Sequence, residues 1–426
     1  MINKISKFID SELYIILVFM ISFLIWFFEP TFLLCVFIYF ILFNFVLFFK
    51  KNSNGIFINL LALLISNIQN LDIENESNLV ITIVLLFILF FELIIFYIKN
   101  NKHRPMYFLL GLIFINLSFF ISGSNKLSNP TTIFYLDSLI LLFINFMYIF
   151  FVNTLDLNKY YLSKIILYFC LLVSLEIFIW YFTYYQEEFL IYKVNTKWGN
   201  GNSASMILLL LFPLTSCLYS FKFNTLYFYL NKVILLALVL SSSRGGILFG
   251  IIGFVIMEIY TFLKSNKILI KKNYLIIGSI ALLIYLIFNN QVINIFIFIL
   301  RRFLDLVSNN NDLSSGRFDR YKEALDIFIR SPLIGEGTML TVSNNLNPWY
   351  HSSILDILAS LGIIGLVTFG IHFVQKYKYL FNNKMFHFLL GFLLSELYGL
   401  IDVNYFNFMY LFIYVLILST LEIIKL

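Results

Sequence analysis

The sequence predicts an all-α, polytopic integral membrane protein of about 12 to 14 transmembrane helices, with one long extracytoplasmic loop carrying short helices. Three observations predict it. The 426 residues are 61% hydrophobic and 12% charged, with a mean hydropathy of +0.91, whereas soluble chains are about 25% charged. The apolar residues are gathered into fourteen long runs, and the charged residues collect between them. This composition excludes a soluble enzyme and leaves no room for a second globular domain.

In chain order the runs are 12–28, 31–49, 55–68, 79–98, 106–122, 132–152, 163–185, 204–221, 226–243, 245–263, 273–289, 352–373, 385–401 and 403–424. At 1.5 Å per residue each approaches the roughly 30 Å of a bilayer's hydrocarbon, 55–68 being the short one. Lys4 and Lys7 precede the first run, no small-residue cleavage site follows it, and Glu29-Pro30 leads into the second. It therefore reads as a retained span. The chain divides into N-terminal transmembrane helices (1–185), a catalytic region (186–402) containing the extracytoplasmic loop 290–350, and a last helix (403–426).

The net charge of +6 does not indicate nucleic acid, because the basic residues are dispersed between apolar runs. Cys35, Cys170 and Cys217 lie far apart in apolar runs, so neither a disulfide nor a metal site is expected. The charges do orient the chain, since short cytoplasmic loops keep Lys and Arg. With both termini inside, all 22 lysines but Lys126, Lys193, Lys197 and Lys322 fall on the inner side. Six of the seven arginines, Arg244, Arg301, Arg302, Arg317, Arg320 and Arg330, fall outside. Arginine there opposes the insertion rule and calls for a ligand that takes planar, bidentate donors, phosphate above all. Headgroups or loop carboxylates such as Asp305, Asp312 and Asp319 are the alternative partners.

The outer segment Asn290–Tyr350 is too long to be structureless. Gln291–Leu306 reads as an interfacial helix. Arg317–Ile329 reads as a second helix, with Phe318, Tyr321, Leu325 and Phe328 at helical spacing and Arg317 and Arg320 within one turn. Ser331-Pro332 ends it and Gly335-Glu336-Gly337 makes a turn.

Four constellations carry possible chemistry. Trp198-Gly199-Asn200-Gly201-Asn202-Ser203 opens a span, and its Asn200 and Asn202 side chains with free helix amides suit an anion or a sugar hydroxyl; the same residues also suit a helix cap. Ser241-Ser242-Ser243-Arg244-Gly245-Gly246 joins two spans with almost no loop, so Ser243 and Arg244 outline a phosphate clamp, or else Arg244 is a snorkelling interfacial residue. Trp349-Tyr350-His351 precedes the span 352–373; His351 is the only outer histidine, suited to accepting a proton near neutral pH or to a structural turn, and Trp349 and Tyr350 suit a sugar platform. Glu92, Glu176, Glu258 and Glu396 lie inside spans, where ionisable groups are costly. Glu396, Tyr398 and Asp402 are expected to line the same cavity as His351.

Taken in order, these segments resemble the O-antigen ligase and O-antigen polymerase (Wzy-type) family of bacterial polysaccharide enzymes. The resemblance rests on Gly199–Ala204, Ser241–Gly246, Ser315-Gly316-Arg317, Ser331–Gly337, His351, Leu361–Gly365 and, more loosely, Tyr398–Asp402, covering about half of the chain. It implies a membrane glycosyltransferase that needs no metal or other cofactor and moves a glycan from undecaprenyl diphosphate at the outer leaflet of the bacterial inner membrane. Arg244 and Arg317, with Arg320 helping, would hold the diphosphate and His351 would act on the acceptor hydroxyl. Asn200, Asn202, Ser243, Trp349, Tyr350, Glu396 and Asp402 would contact substrate. A polar residue, often Asn, commonly follows this histidine in the family; here Ser352 does. The implied partners are a lipid-linked oligosaccharide donor and acceptor, membrane lipids and a chain-length regulator protein. Polymerase is the preferred reading over a ligase acting on lipid A core, or a lipid-linked sugar transporter.

Overall fold

The computed structural model describes residues 2–66, 76–124, 132–184, 195–196, 199–220, 223–241, 243–265, 267–290, 293, 297, 317–337 and 350–424. The chain is an all-α, polytopic membrane protein, and each of the fourteen apolar runs becomes a helix. A short α1 (Ile2–Ile9) meets α2 (Glu12–Phe28) at 64°. There follow α3 (Phe32–Phe49), α4 (Asn54–Ser66), α5 (Glu76–Asn100), α6 (Leu109–Ser124), α7 (Thr132–Thr154) and α8 (Lys159–Tyr184). A two-residue antiparallel bridge, Asn195–Thr196 with Gly199–Asn200, leads into α9 (Gly201–Thr215) and α10 (Cys217–Ser220). The C-terminal half adds α11 (Thr225–Leu240), α12 (Arg244–Lys264), α13 (Lys267–Ile287), α14 (Arg317–Arg330), α15 (Ser353–Asn382), α16 (Phe386–Gly399) and α17 (Phe408–Leu421).

Among the described residues seven helices are long and apolar enough to cross a membrane alone, or eight with the bent pair α1–α2, and six more apolar helices are shorter. One shortening has a local cause. The run 403–424 yields helix only from Phe408, because 400–407 turns back on itself, with Asn407 capping α17 by accepting from Tyr410 N–H at 3.1 Å. The non-helical residues, Asp402 and Asn404 among them, stay at the end of the bundle.

The core forms around α9, whose side chains are almost all buried. It packs closely on α16, where Gly391 lets Leu210 O approach to within 2.3 Å of where a Cβ would stand. Polar caps set the helix starts. Ser11 accepts from Tyr14 N–H at 3.3 Å and Asn224 from Tyr227 N–H at 3.2 Å.

α15 is broken. Gly362 has φ +63° inside it, and the stretch 331–337 docks against the break through main-chain bonds. Ile363 N–H donates to Pro332 O (2.9 Å), Ile364 N–H to Leu333 O (3.1 Å), Glu336 N–H to Ala359 O (2.9 Å) and Gly337 N–H to Ser360 O (3.0 Å). A Cβ at Gly335 would stand 2.3 Å from Ser360 C and one at Gly362 2.5 Å from Leu333 C. Only glycines permit this approach. The seam fastens α14 alongside α15, where Ala324, Ile327, Tyr350 and Ala359 form a small apolar cluster of their own.

Two ion pairs lie inside the bundle. Lys376, fully buried on α15, meets Glu396 of α16, which also accepts from Tyr377 and from Tyr405 at 2.8 Å. Lys232 of α11 meets Glu258 of α12, joined by Tyr274 and by Tyr219 at 3.3 Å. Lys376 lies beyond the apolar run 352–373 expected from the sequence, yet α15 continues through it to Asn382. The three cysteines are buried and unbridged.

Candidate functional site

Four chain segments converge at one end of the bundle. The start of α9, the start of α12, α14, and the stretch 350–356 all meet the end of α16 or the irregular segment 400–407 that follows it. Tyr398, at the end of α16 and 1% exposed, is the hub. Its hydroxyl lies 3.1 Å from Ser243 Oγ, 3.1 Å from Asp402 Oδ2 and 3.4 Å from Asn202 O. The phenol has one proton, best given to the Asp402 carboxylate, while Ser243 donates to the phenol oxygen. Ser243 also accepts from Gly246 N–H at 3.2 Å, so it caps α12 while bonding to α16.

That cap puts Arg244 on the first helical residue of α12, half-buried. The two glycines after it are required by packing. A Cβ at Gly245 would stand 2.8 Å from the Tyr398 ring, and one at Gly246 2.5 Å from Ser205 Oγ. Ser205 in turn lies 2.6 Å from Ser241 Oγ, tying α9 to the end of α11.

Arg317 opens α14 and donates through Nη1 to Ile401 O at 2.9 Å, which brings it to the same segment as Asp402. Arg320, one turn on, is held by Glu323 at 3.2 Å. His351 has a left-handed backbone, φ +53°, and its Nδ1 lies 3.5 Å from Asp402 Oδ1. Asp402 is held on its other side as well, since its main-chain oxygen accepts from Ser353 N–H at 3.2 Å. Tyr350 is buried next to Glu323, Asp356 and Glu336. Burial first, then those carboxylates, push its hydroxyl up to about 12, so it stays protonated at neutral pH and acts as a donor.

Of the residues expected from sequence, the structure brings Ser243, Arg317, His351 and Asp402 together around Tyr398, with Arg244 next to Ser243 and Tyr350 next to His351. Asn202 joins through its main-chain oxygen. Asn200 pairs its backbone with Asn195 just before α9. Arg320 lies one turn along α14. Glu396 is not brought to this group. Two residues before Tyr398 on a helix advancing about 100° per residue, it faces away from it, toward Lys376, Tyr377 and Tyr405. Trp349, Trp198, Ser242, Ser315-Gly316 and most of Gln291–Leu306 lie outside the described residues. The sequence reading missed Asp356, a fully buried acid five residues after His351. The signal was present, since an acid inside an apolar run is the criterion that singled out Glu396.

Residues 231–370 match the model of the O-antigen ligase family (Wzy_C). The match covers about a third of the chain, which is in that stretch similar to O-antigen ligases. The match supports O-antigen ligase- or polymerase-type function in general. A search of curated proteins finds no match. The matched region contains Ser243, Arg244, Arg317, Arg320, Tyr350 and His351, while Asn202, Tyr398 and Asp402 lie outside it. The matched region therefore reaches its partners on α9 and α16 only through tertiary packing.

Proposed function

We propose that the protein is a polysaccharide polymerase of the bacterial inner membrane, transferring glycan from undecaprenyl diphosphate to a second lipid-linked repeat unit at the outer leaflet. The observation that carries this reading is the convergence of Arg317 and the Ser243-Arg244 cap on the segment that faces His351. The acceptor hydroxyl oxygen attacks the anomeric carbon, whose bond to the diphosphate breaks. The electron pair leaves on the diphosphate, where Arg244 and Arg317 stabilise the growing charge and Arg320 assists. The hydroxyl proton goes to His351 through Nε2, since Nδ1 is turned toward Asp402 Oδ1 at 3.5 Å. The arginines supply the charge a divalent cation would bring, so transfer is expected to proceed in EDTA.

The lysine bias supports cytoplasmic termini and a site facing the exterior. Asn200, Asn202, Ser243, Tyr350, Trp349 and Asp402 serve the sugars and diphosphate, and a chain-length regulator is the expected protein partner. The deciding experiment is a gel of surface polysaccharide from a deletion strain complemented with wild type or Arg244→Ala. A single attached repeat unit, extended to a ladder only by wild type, supports the polymerase. Long chains left on undecaprenyl diphosphate, with nothing attached to lipid A core, would make it a ligase instead.

A further inference from the structure

His351 adopts a backbone conformation that a residue with a Cβ rarely takes, φ +53°. Such a conformation persists only where its surroundings determine it. The contacts that do so come from two residues. Tyr350 N–H, immediately before His351, donates to Asp356 Oδ1 at 3.0 Å, while Asp356 N–H makes the first main-chain bond of α15, to Ser352 O at 2.9 Å. The His351 carbonyl accepts from the Tyr321 hydroxyl at 3.3 Å. Tyr321 stands four residues after Arg317, so the two share one face of α14. That face meets His351 with one residue and Ile401 O with the other.

Asp356 is the less expected member. An acid in the first turn of a helix is favoured by the helix dipole, but that does not account for its complete burial or for its bond back to Tyr350. Among the described residues its second oxygen, Oδ2, has no hydrogen-bond partner. A buried polar group left half-satisfied is costly, so the bond it does make carries the reason for its presence.

We propose that Asp356 and Tyr321 are positioning residues that hold His351 in its left-handed conformation, Asp356 as a main-chain acceptor and Tyr321 as the link to the helix bearing Arg317. Neither touches the reacting atoms. The proposal rests on His351 being the base, and it makes the base's placement depend on α14, so Arg317 on the diphosphate side and the proton-accepting side of the site are set by one element.

The test uses the full-length protein in lipid nanodiscs, with undecaprenyl-diphosphate-linked glycan extracted from the deletion strain as substrate. Asp356→Ala is expected to lower kcat by about 100-fold, the scale of a misplaced catalytic group, with KM for the glycan unchanged. Asp356→Asn keeps the acceptor oxygen and is expected to restore most of kcat. Tyr321→Phe, a milder change at a half-exposed position, is expected to lower kcat with KM unchanged, and it decides the matter if Asp356→Ala fails to accumulate. Wild-type kcat in Asp356→Ala or in Tyr321→Phe, an Asn variant as slow as the Ala variant, or a loss residing in KM overturns the proposal. His351→Ala is run alongside. If it stays active, the base assignment falls; if it is inactive while the Asp356 and Tyr321 variants are at full rate, only the positioning proposal falls.

Discussion

His351 Nδ1 lies 3.5 Å from Asp402 Oδ1, across 51 residues of sequence, joining the turn before α15 to the segment after α16. The distance fits an imidazole oriented by a carboxylate, and Tyr398 holds the other Asp402 oxygen at 3.1 Å. Asp402→Asn preserves the shape and removes the charge that would stabilise an imidazolium. Transfer in this variant is expected to fall by about 100-fold or more, the lower range for general-base catalysis. Initial rates at matched protein level in membranes check this, and an Asn variant at wild-type rate would mean that His351 needs no anionic partner.

Arg244 and Arg317 differ in support but share an expected sensitivity. Arg317 is anchored on Ile401 O and Arg244 on the first turn of α12. Replacing either with Lys keeps the charge but loses the planar fork. Each Lys variant is expected to lose about 3 kcal/mol of transition-state stabilisation, near 100-fold in rate. Polymer of wild-type length from Arg244→Lys would refute the diphosphate role.

The sequence located the helices well because burial in lipid demands long apolar runs, and those runs have no soluble counterpart. Ser243 and His351 stand out against their surroundings as polar residues at the ends of such runs, and Arg317 because arginine on that side opposes the insertion rule; the fold brings all three to one end of the bundle. It misassigned Glu396 because hydropathy reports depth, not which way a side chain turns. Tyr398 lies two residues further along the same helix and faces His351's partner, while Glu396 faces Lys376. The role of Tyr321 was invisible for a similar reason. It reads as one apolar position on an amphipathic helix, and only the fold brings its hydroxyl to His351 O.

The seam between 331–337 and the α15 break offers a stability prediction. Gly362 holds φ +63° with Leu333 C 2.5 Å from where a Cβ would be. Gly362→Ala therefore adds both backbone strain, about 1–3 kcal/mol, and a main-chain clash. α14 is expected to detach from α15, which protease cleavage near residue 337 in outward-facing vesicles detects, and activity is expected to be lost with it. Gly370→Ala lies on the same helix with nothing within 4 Å of its Cβ position and is the matched control.

Lys376 and Glu396 offer a separation of stability from chemistry. Lys376 is 0% exposed and is bonded to Glu396, with Tyr414 accepting from it at 3.0 Å. Burying two charges is expensive, and removing one leaves the other without compensation, typically at a cost of about 3–5 kcal/mol. Lys376→Met is therefore expected to lower the melting temperature sharply in detergent, the Glu396 carboxylate keeping only its two tyrosine donors. The double variant Lys376→Met with Glu396→Gln removes both charges and is expected to recover most of the stability. If Glu396 acted on substrate, the double variant would be stable yet inactive; activity returning together with stability would place the pair in the scaffold.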